Sequence, residues 1–370
     1  MTAIVDWISL CLAPGLGSVG LRRLVDHFGS PAQVLNAAPA DLLKVPGIQA
    51  KQVAGLLSPD VLRKRGQMEF SLLREKGCLA VSCDDNDYPE LLRQIADPPP
   101  LLFVKGRKEL LRSACLAIVG SRASTAYGRR TAYSLAASLS SSLTIVSGMA
   151  LGIDAEAHSG ALSAGGGTIA VLGCGLDVVY PYQNRRLYEQ IGESGLLVSE
   201  YPLGTTPDGF RFPARNRIIA GLSLGVLVVE AAKKSGSLIT AQLALDAGRE
   251  VFAVPGQVDS FKSEGAHWLL KQGAKLVQSG KDVLEELRLS SCSHSAVDVD
   301  GELVVSSPLD PVALQLLASI EPYPQPREKL MAATEFSPAK LTELLLLLEL
   351  EGLIEMMPGD TVRRITVEKR

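Results

Sequence analysis

The chain is short of the residues that mark most covalent or metal chemistry. Its four histidines are scattered, and its six cysteines, at 11, 78, 83, 115, 174 and 292, form no CxxC pair. Neither a zinc site nor a disulfide framework is therefore expected. No GxxxxGK[ST] or HExxH motif occurs and no spaced carboxylate dyad, and the GxSxG match "GLSLG" at 221–225 leads into an apolar run where an elbow must follow one, so P-loop hydrolysis, a nucleophile elbow and zinc proteolysis have no support. No apolar run is long enough to span a bilayer and no charged-then-apolar leader opens the chain, which makes the cytoplasm the expected compartment. An excess of charge is missing too: 37 Lys and Arg stand against 40 Asp and Glu, for a net charge of −3. Any nucleic-acid role must then use a local basic patch rather than a global field.

What remains is soluble globular material, 46% hydrophobic and 21% charged over 370 residues, long enough for two or three domains. Residues 1–78 read as helical, broken by Pro and Gly. "LAPGLGSVGLRRLVDHFGS" satisfies GxGxxG at Gly15, Gly17 and Gly20, but the dinucleotide fingerprint needs a preceding strand and "DWISLCLA" reads as helix. Helix, glycine hairpin, helix fits better, and "LLKVPGIQAKQVAGLL" repeats the theme. Such hairpins can offer helix-start N–H groups to a phosphate; a helical interaction module without nucleic-acid contact is an equal reading.

Residues 79–289 alternate buried apolar runs with helical stretches: "CLAIVG", "LTIVSG", "TIAVLG", "GLLVSE", "GVLVVE" and "EVFAVPG" read as strands. Strands alternating with helices predict an α/β, doubly wound, mostly parallel Rossmann-like sheet with ligands at the carboxyl ends of its strands. Residues 290–307 have linker composition. Residues 308–370 read as three helices and a terminal strand pair, a winged-helix-like pattern. From 308 to 357 eight acids face Arg327, Lys329 and Lys340, a net of −5. Duplex binding needs phosphate neutralisation, so protein contact is favoured for this tail.

The strand-end loops carry the functional signal. Gly120 and Ser121 form a tight turn before Arg122, leaving N–H groups and a guanidinium fork for an anion. Gly148 and Gly152 permit close backbone approach, with Asp154 expected as a helix cap and His158 as a packed core histidine. "FPARNR" places Arg215, Asn216 and Arg217 at the expected mouth of a buried helix, where the helix dipole disfavours cations, so an outside anion is expected there. Ser235, Gly236 and Ser237, with Thr240 close behind, make a phosphate cradle at another helix start. Arg211 and Phe212 add a cation and an aromatic suited to base stacking, although Phe212 reads equally well as a core plug.

"IVGSR", "SGMALGIDAEAH", "TIAVLGCGLDVVYP", "FPARNRIIAGLS", "SGSLITA" and "GREVFAVPG", in this order across 115–256, resemble the DprA/Smf DNA-processing family. The resemblance implies an extended Rossmann-type domain that binds single-stranded DNA, homodimerises, and loads a RecA-type recombinase while displacing single-strand-binding protein. It also implies a non-catalytic protein without a cofactor, and a DNA pocket on Gly120, Ser121, Arg122, Phe212, Arg215, Asn216, Arg217 and Ser235–Ser237. Two positions depart from the pattern: Leu151 stands where relatives often have Arg, and Asp208–Gly209 where they often have Lys, with Arg211 as the substitute. The competing class is a nucleotide phosphoribohydrolase-like enzyme of related fold, which needs a PGGxGT turn and a catalytic acid. "KKSGSLIT" lacks the double glycine, and Glu230 is the only nearby acid.

Overall fold

The computed structural model describes residues 2–289 and, beyond them, 313, 316, 317, 319, 320, 325–334, 336–350, 353–357 and 361–364. The expected linker, 290–307, lies outside the described residues, as does most of the first expected tail helix. Two compact units result, one within Met1–Cys292 and one within Ser293–Arg370.

Six helices come first: α1 (Thr2–Cys11), α2 (Ser18–Phe28), α3 (Pro31–Asn36), α4 (Pro39–Leu42), α5 (Ala50–Ala54) and α6 (Pro59–Glu75). The glycine-rich stretch is a loop between two helices, as the hairpin reading expects. Helix α2 ends on Gly29 at φ +85°, whose N–H caps the Val25 carbonyl, and Ser30 with Pro31 starts the next helix.

The sheet region then runs β1 (Cys78–Ser82), α7 (Glu90–Arg93), β2 (Leu101–Gly106), β3 (Cys115–Val119), α8 (Ala126–Leu139), β4 (Thr144–Ser147), α9 (Ile153–Ser163), β5 (Thr168–Leu172), α10 (Arg185–Ser194) and β6 (Leu196–Ser199). It continues with α11 (Arg211–Leu222), β7 (Gly225–Val228), α12 (Gly236–Asp246), β8 (Glu250–Ala253), α13 (Glu264–Lys271), β9 (Lys275–Leu276) and α14 (Gly280–Glu286). All nine strands form one sheet in the order β1-β2-β6-β5-β4-β3-β7-β8-β9. The pairs from β6 through β9 are parallel, while β1–β2 and β2–β6 are antiparallel. The central runs are buried throughout because both faces of the sheet are covered.

Alternate side chains of each strand enter opposite cores. Ala117, Val146 and Val226 pack with Ile218, Ile219, Ala241 and Leu269 from α11, α12 and α13. Ile118, Ile145 and Leu227 pack with Leu135, Leu139, Ala157 and Val283 from α8, α9 and α14. A third cluster joins Trp7, Leu24 and Leu73 of the helical module to Phe103, Leu172 and Leu197 of the sheet. The expected boundary at 78/79 therefore falls inside one continuous core.

The second unit holds β10 (Gln325–Pro326), α15 (Arg327–Ala333), α16 (Pro338–Leu350), β11 (Ile354–Met357) and β12 (Thr361–Arg364), with sheet order β10-β12-β11. Leu330, Leu341, Leu344, Leu348, Ile354 and Val362 form its core with Leu316 and Leu317. Helices on a small antiparallel sheet match the winged-helix pattern.

His158 is the packed histidine that its helix position suggests. It is fully buried, with Nδ1 2.7 Å from the Thr168 hydroxyl. That hydroxyl donates to the Ile145 carbonyl at 2.8 Å, so the network assigns the proton to Nδ1. Nε2 is then buried without a hydrogen-bond partner. Burial, aided by the nearby Arg215 cation, pushes the imidazole pKa down to about 3. In the unfolded chain it takes up a proton below about 6.5. Stability from the neutral ring is thus complete above that pH and is lost, by about 1.4 kcal/mol per pH unit, as pH falls towards 3. Urea unfolding at pH 7 and pH 5 should show the stability advantage of wild type over His158→Gln shrinking by about 2 kcal/mol. An advantage that stays constant would reject the buried neutral ring.

Candidate functional site

Strands β3, β4, β5 and β6 are laid down outward in one direction, and β7, β8 and β9 in the other. Their connections part between β3 and β7, where a doubly wound sheet opens a crevice at its carboxyl ends. A cleft of about 670 Å³ occupies that place. Its walls come from the turn after β3 (Gly120, Ser121, Arg122), the loop before α12 (Lys234, Ser235, Gly236, Ser237, then Thr240) and α11 (Phe212, Arg215, Asn216). Ten of the residues expected at the site thus line one cleft, while Gly148, Arg211 and Arg217 do not.

The serine-glycine-serine turn is a helix start, as its composition suggests. Ser235 is the N-cap of α12 and accepts the Ser237 N–H at 3.3 Å, and the two hydroxyls lie 2.7 Å apart. Cap and dipole leave this end of α12 suited to an oxyanion. Arg122 and Lys234 are exposed on either side of the cleft. Asn216 donates its amide to the Gly236 carbonyl at 3.4 Å, linking α11 to the turn.

The "FPARNR" stretch behaves differently from its expectation. Helix α11 begins at Arg211, four residues before Arg215, and Pro213 sits in its first turn where the missing N–H costs nothing. Neither arginine stands at the helix mouth. Arg215 is 4% exposed and forms the cleft floor. Its guanidinium donates to the Gly148 carbonyl at 2.7 Å and to the Val171 carbonyl. Burial pushes its pKa down to about 10, with the Asp154 carboxylate acting in the opposite sense. Arg217 turns off the cleft and grips the Glu200 carboxylate with both terminal nitrogens, at 2.8 and 2.7 Å. Two acids satisfy it, since Asp97 lies 3.3 Å from its Nε. Arg211 lies over the rings of Tyr201 and Phe210, 5.3 Å from each, and donates to the Thr206 carbonyl.

Gly148 and Gly152 do require glycine. A Cβ on Gly148 would stand 2.5 Å from the Arg215 guanidinium, and Gly152 has φ +80° with the Ser121 carbonyl 2.4 Å from where a Cβ would be. Gly148 lines a smaller cavity of about 120 Å³ with Arg122, Tyr180, Phe212 and Arg215. Asp154 is no cap of its own helix: Gly152 holds that position, and the carboxylate accepts the Gly148 and Ala150 N–H groups at 3.2 and 3.3 Å. Burial raises its pKa, opposed by Arg215 and these N–H groups. Glu230 does not line the cleft; its carboxylate accepts the Thr125 hydroxyl at 2.6 Å and the Thr125 N–H.

Phe212 is half-buried and stacks on Tyr180, centroids 5.4 Å apart at 29°, with the Arg122 guanidinium 5.6 Å above its ring. Tyr180 and Lys234 are the functional-looking side chains absent from the expected set. Lys234 adjoins the Ser-Gly-Ser turn and is legible as a rim cation, whereas nothing in "DVVYP" marks its tyrosine as a stacking partner. Asp208, which with Gly209 stands where the family pattern often has Lys, also lines the cleft. Among the described residues no cluster of His, Cys, Asp or Glu could hold a metal ion, and no helix is long and apolar enough to cross a membrane.

Comparison with known proteins agrees with this architecture. Residues 80–288 match the family described as DNA recombination-mediator protein A, residues 305–360 the DprA winged helix domain, and residues 9–58 a SAM-like helix-hairpin-helix tandem. The chain is 35% identical to Protein Smf of Synechocystis, covering 97% of this chain and 98% of that one. The X-ray structure of DNA processing protein A from Streptococcus pneumoniae superposes with a TM-score of 0.66 at 41% identity, over 76% of this chain and 97% of that one. DNA processing protein A from Helicobacter pylori, solved for its single-stranded DNA binding mode, superposes with a TM-score of 0.52 at 32% identity, over 56% of this chain and 95% of that one. A doubly wound sheet between a helix-hairpin-helix module and a winged helix, matched module by module in this way, makes the chain a member of the DprA/Smf family of DNA-processing proteins.

Proposed function

We propose that the cleft binds single-stranded DNA, with a phosphate at the start of α12 between Arg122 and Lys234 and a base against the Phe212–Tyr180 stack. One observation carries the reading: two exposed cations, an open helix start and a stacked aromatic face share one trough. Helix-start N–H groups suit a phosphate oxygen, and an aromatic face accepts any base without regard to sequence. A structural relative from Helicobacter pylori, named for its single-stranded DNA binding mode, supports the same ligand. The fuller proposal is a cytoplasmic, homodimeric, non-catalytic protein that protects incoming single strands and loads a RecA-type recombinase onto them in place of single-strand-binding protein.

The enzyme reading has less support. Its candidate acid, Glu230, is committed to Thr125, and Asp154 to the Gly148 and Ala150 amides. Free base released on incubation with nucleoside monophosphates would favour the hydrolase over the binding protein.

Arg122→Ala and Lys234→Ala should each weaken oligo-dT binding and reduce the slope of log K against log salt by about one unit, whatever the sequence. Affinity and slope unchanged in both variants would reject the cleft as the DNA site. Arg215→Ala should act on folding instead. It strips the buried Asp154 carboxylate of its cation and leaves two carbonyls without donors, for a loss of about 3–5 kcal/mol in urea unfolding. A variant as stable as wild type would mean that the floor does not depend on this guanidinium. The chain should also retain oligo-dT in preference to the matching duplex in a competition assay, and the reverse order would move attention to the terminal modules.

A further inference from the structure

The N-terminal helical module contributes no residue to the cleft wall, yet two tethers run from it to the elements that do. At the first, Ser18 of α2 donates its hydroxyl to the Asp97 carboxylate at 3.0 and 3.2 Å. Asp97 holds Arg217 in turn, its backbone carbonyl accepting from Nε at 2.8 Å. Arg217 belongs to α11, the helix that delivers Phe212, Arg215 and Asn216 to the cleft. At the second, Glu69 of α6 accepts the Leu203 N–H at 2.8 Å. Next to it, Lys76 lies 3.9 Å from Asp177, whose carboxylate accepts the Gly204 N–H at 2.7 Å. Leu203 and Gly204 sit in the strap from β6 to α11, which gives Pro207, Asp208 and Gly209 to the cleft wall.

We infer that the helical module is a brace for the cleft, with Glu69, Asp97 and Arg217 as positioning residues that fix the strap and α11 against it. The inference rests on the single-strand reading of the cleft. Its physical basis is that both tethers end on groups with no freedom to wander. Glu69 is 9% exposed, and a buried carboxylate that accepts one backbone N–H fixes that amide's place strongly. Arg217 is held by two acids with planar, bidentate geometry on one of them. Binding groups keep their geometry only when the residues behind them are themselves locked. The competing idea, that the hairpins touch DNA directly, needs their exposed cations to face phosphate.

The test uses the full chain and oligo-dT across a salt series. Glu69→Ala and Asp97→Ala should each lower affinity by about five- to tenfold, the value of roughly one lost hydrogen bond, with the salt slope unchanged and the melting temperature lowered by no more than about 4 °C. Glu69→Gln and Asp97→Asn each retain an acceptor, for the Leu203 amide and the Ser18 hydroxyl, and should restore affinity to within about twofold, a rescue. Arg23→Ala and Lys51→Ala, on the hairpins, should change neither affinity nor slope. Tighter binding by Asp97→Ala would mean that Arg217, once released, meets phosphate, and overturns the brace. Unchanged binding by both Glu69→Ala and Asp97→Ala overturns it as well, as does a slope lowered by about one in Arg23→Ala or Lys51→Ala. Should Glu69→Ala fail to fold, Ser18→Ala with Asp97→Ala carries the same comparison. The Arg122→Ala control separates the two levels. Wild-type binding that ignores Arg122 removes the cleft reading itself, whereas binding that needs Arg122 but not the tethers removes only the brace.

Discussion

The reversal of strand order between β3 and β7 is the constraint from which the site follows. Chain leaving β3 turns one way into α8, and chain leaving β7 turns the other way into α12. A gap must open between them at the carboxyl ends, and helix starts there point unpaired N–H groups into it. Gly120 fits because its Cβ would meet Ile153 and the Glu230 carbonyl within 3 Å. Glu230 in turn holds Thr125, the N-cap of α8. One acid therefore sets the start of the helix on the β3 side from the end of β7. The two rims are hydrogen-bonded to each other below the opening, the Ser121 N–H donating to the Glu230 carbonyl at 2.7 Å.

Arginine serves two ends in this crevice, and burial decides which. Arg215 is enclosed by Gly148, Val171 and the neighbouring Asp154, so its donors are spent on carbonyls that would otherwise be unsatisfied. Arg122 is exposed and its guanidinium lies over an aromatic ring, with donors left for a ligand. Arg217 is paired with acids from two other segments. The anion expected for the "FPARNR" cations is thus internal for Arg217, and largely replaced by backbone carbonyls for Arg215. A motif rich in cations is not by itself a patch of free charge.

Much of this arrangement was legible from residue order, and the parts that were not share one cause. Period and composition place strands β3 to β8, the winged-helix tail and the Ser-Gly-Ser helix start, because those follow from local rules about burial, propensity and capping, whereas the outer strands β1, β2 and β9 are not among the runs that read as strands. The partners that hold Arg215 and Arg217 come from positions 17 to 120 residues away, so no local rule reaches them. Nor does one reveal that α11 begins at Arg211, since Pro213 reads as a breaker before the helix although it fits the first turn. Asp154 looked like a cap for the same reason: its chain position is right, but its carboxylate reaches back to the Gly148 loop. Tyr180 meets Phe212 only after β5 and α11 have been brought together, which is a property of the sheet and not of either stretch.

The charge balance of the cleft follows from these assignments. At neutral pH Arg215 stays protonated even with its pKa pushed down to about 10, but it is buried and its guanidinium is turned onto the Gly148 and Val171 carbonyls. Asp208 adds a negative charge to the wall. Net attraction for an anion then falls to Arg122, Lys234 and the α12 dipole, a short list for a chain whose total charge is −3. A polynucleotide held by so few phosphate contacts must gain the rest of its affinity from contacts that salt does not screen. In the proposed binding mode the stacked Phe212 and Tyr180 rings would supply such a contact, worth about 1–3 kcal/mol per base. Stacking of that kind requires bases that are already unpaired, because a duplex presents only their edges. In the proposed binding mode, weak cationic attraction beside an aromatic stack would therefore favour single strands over duplex.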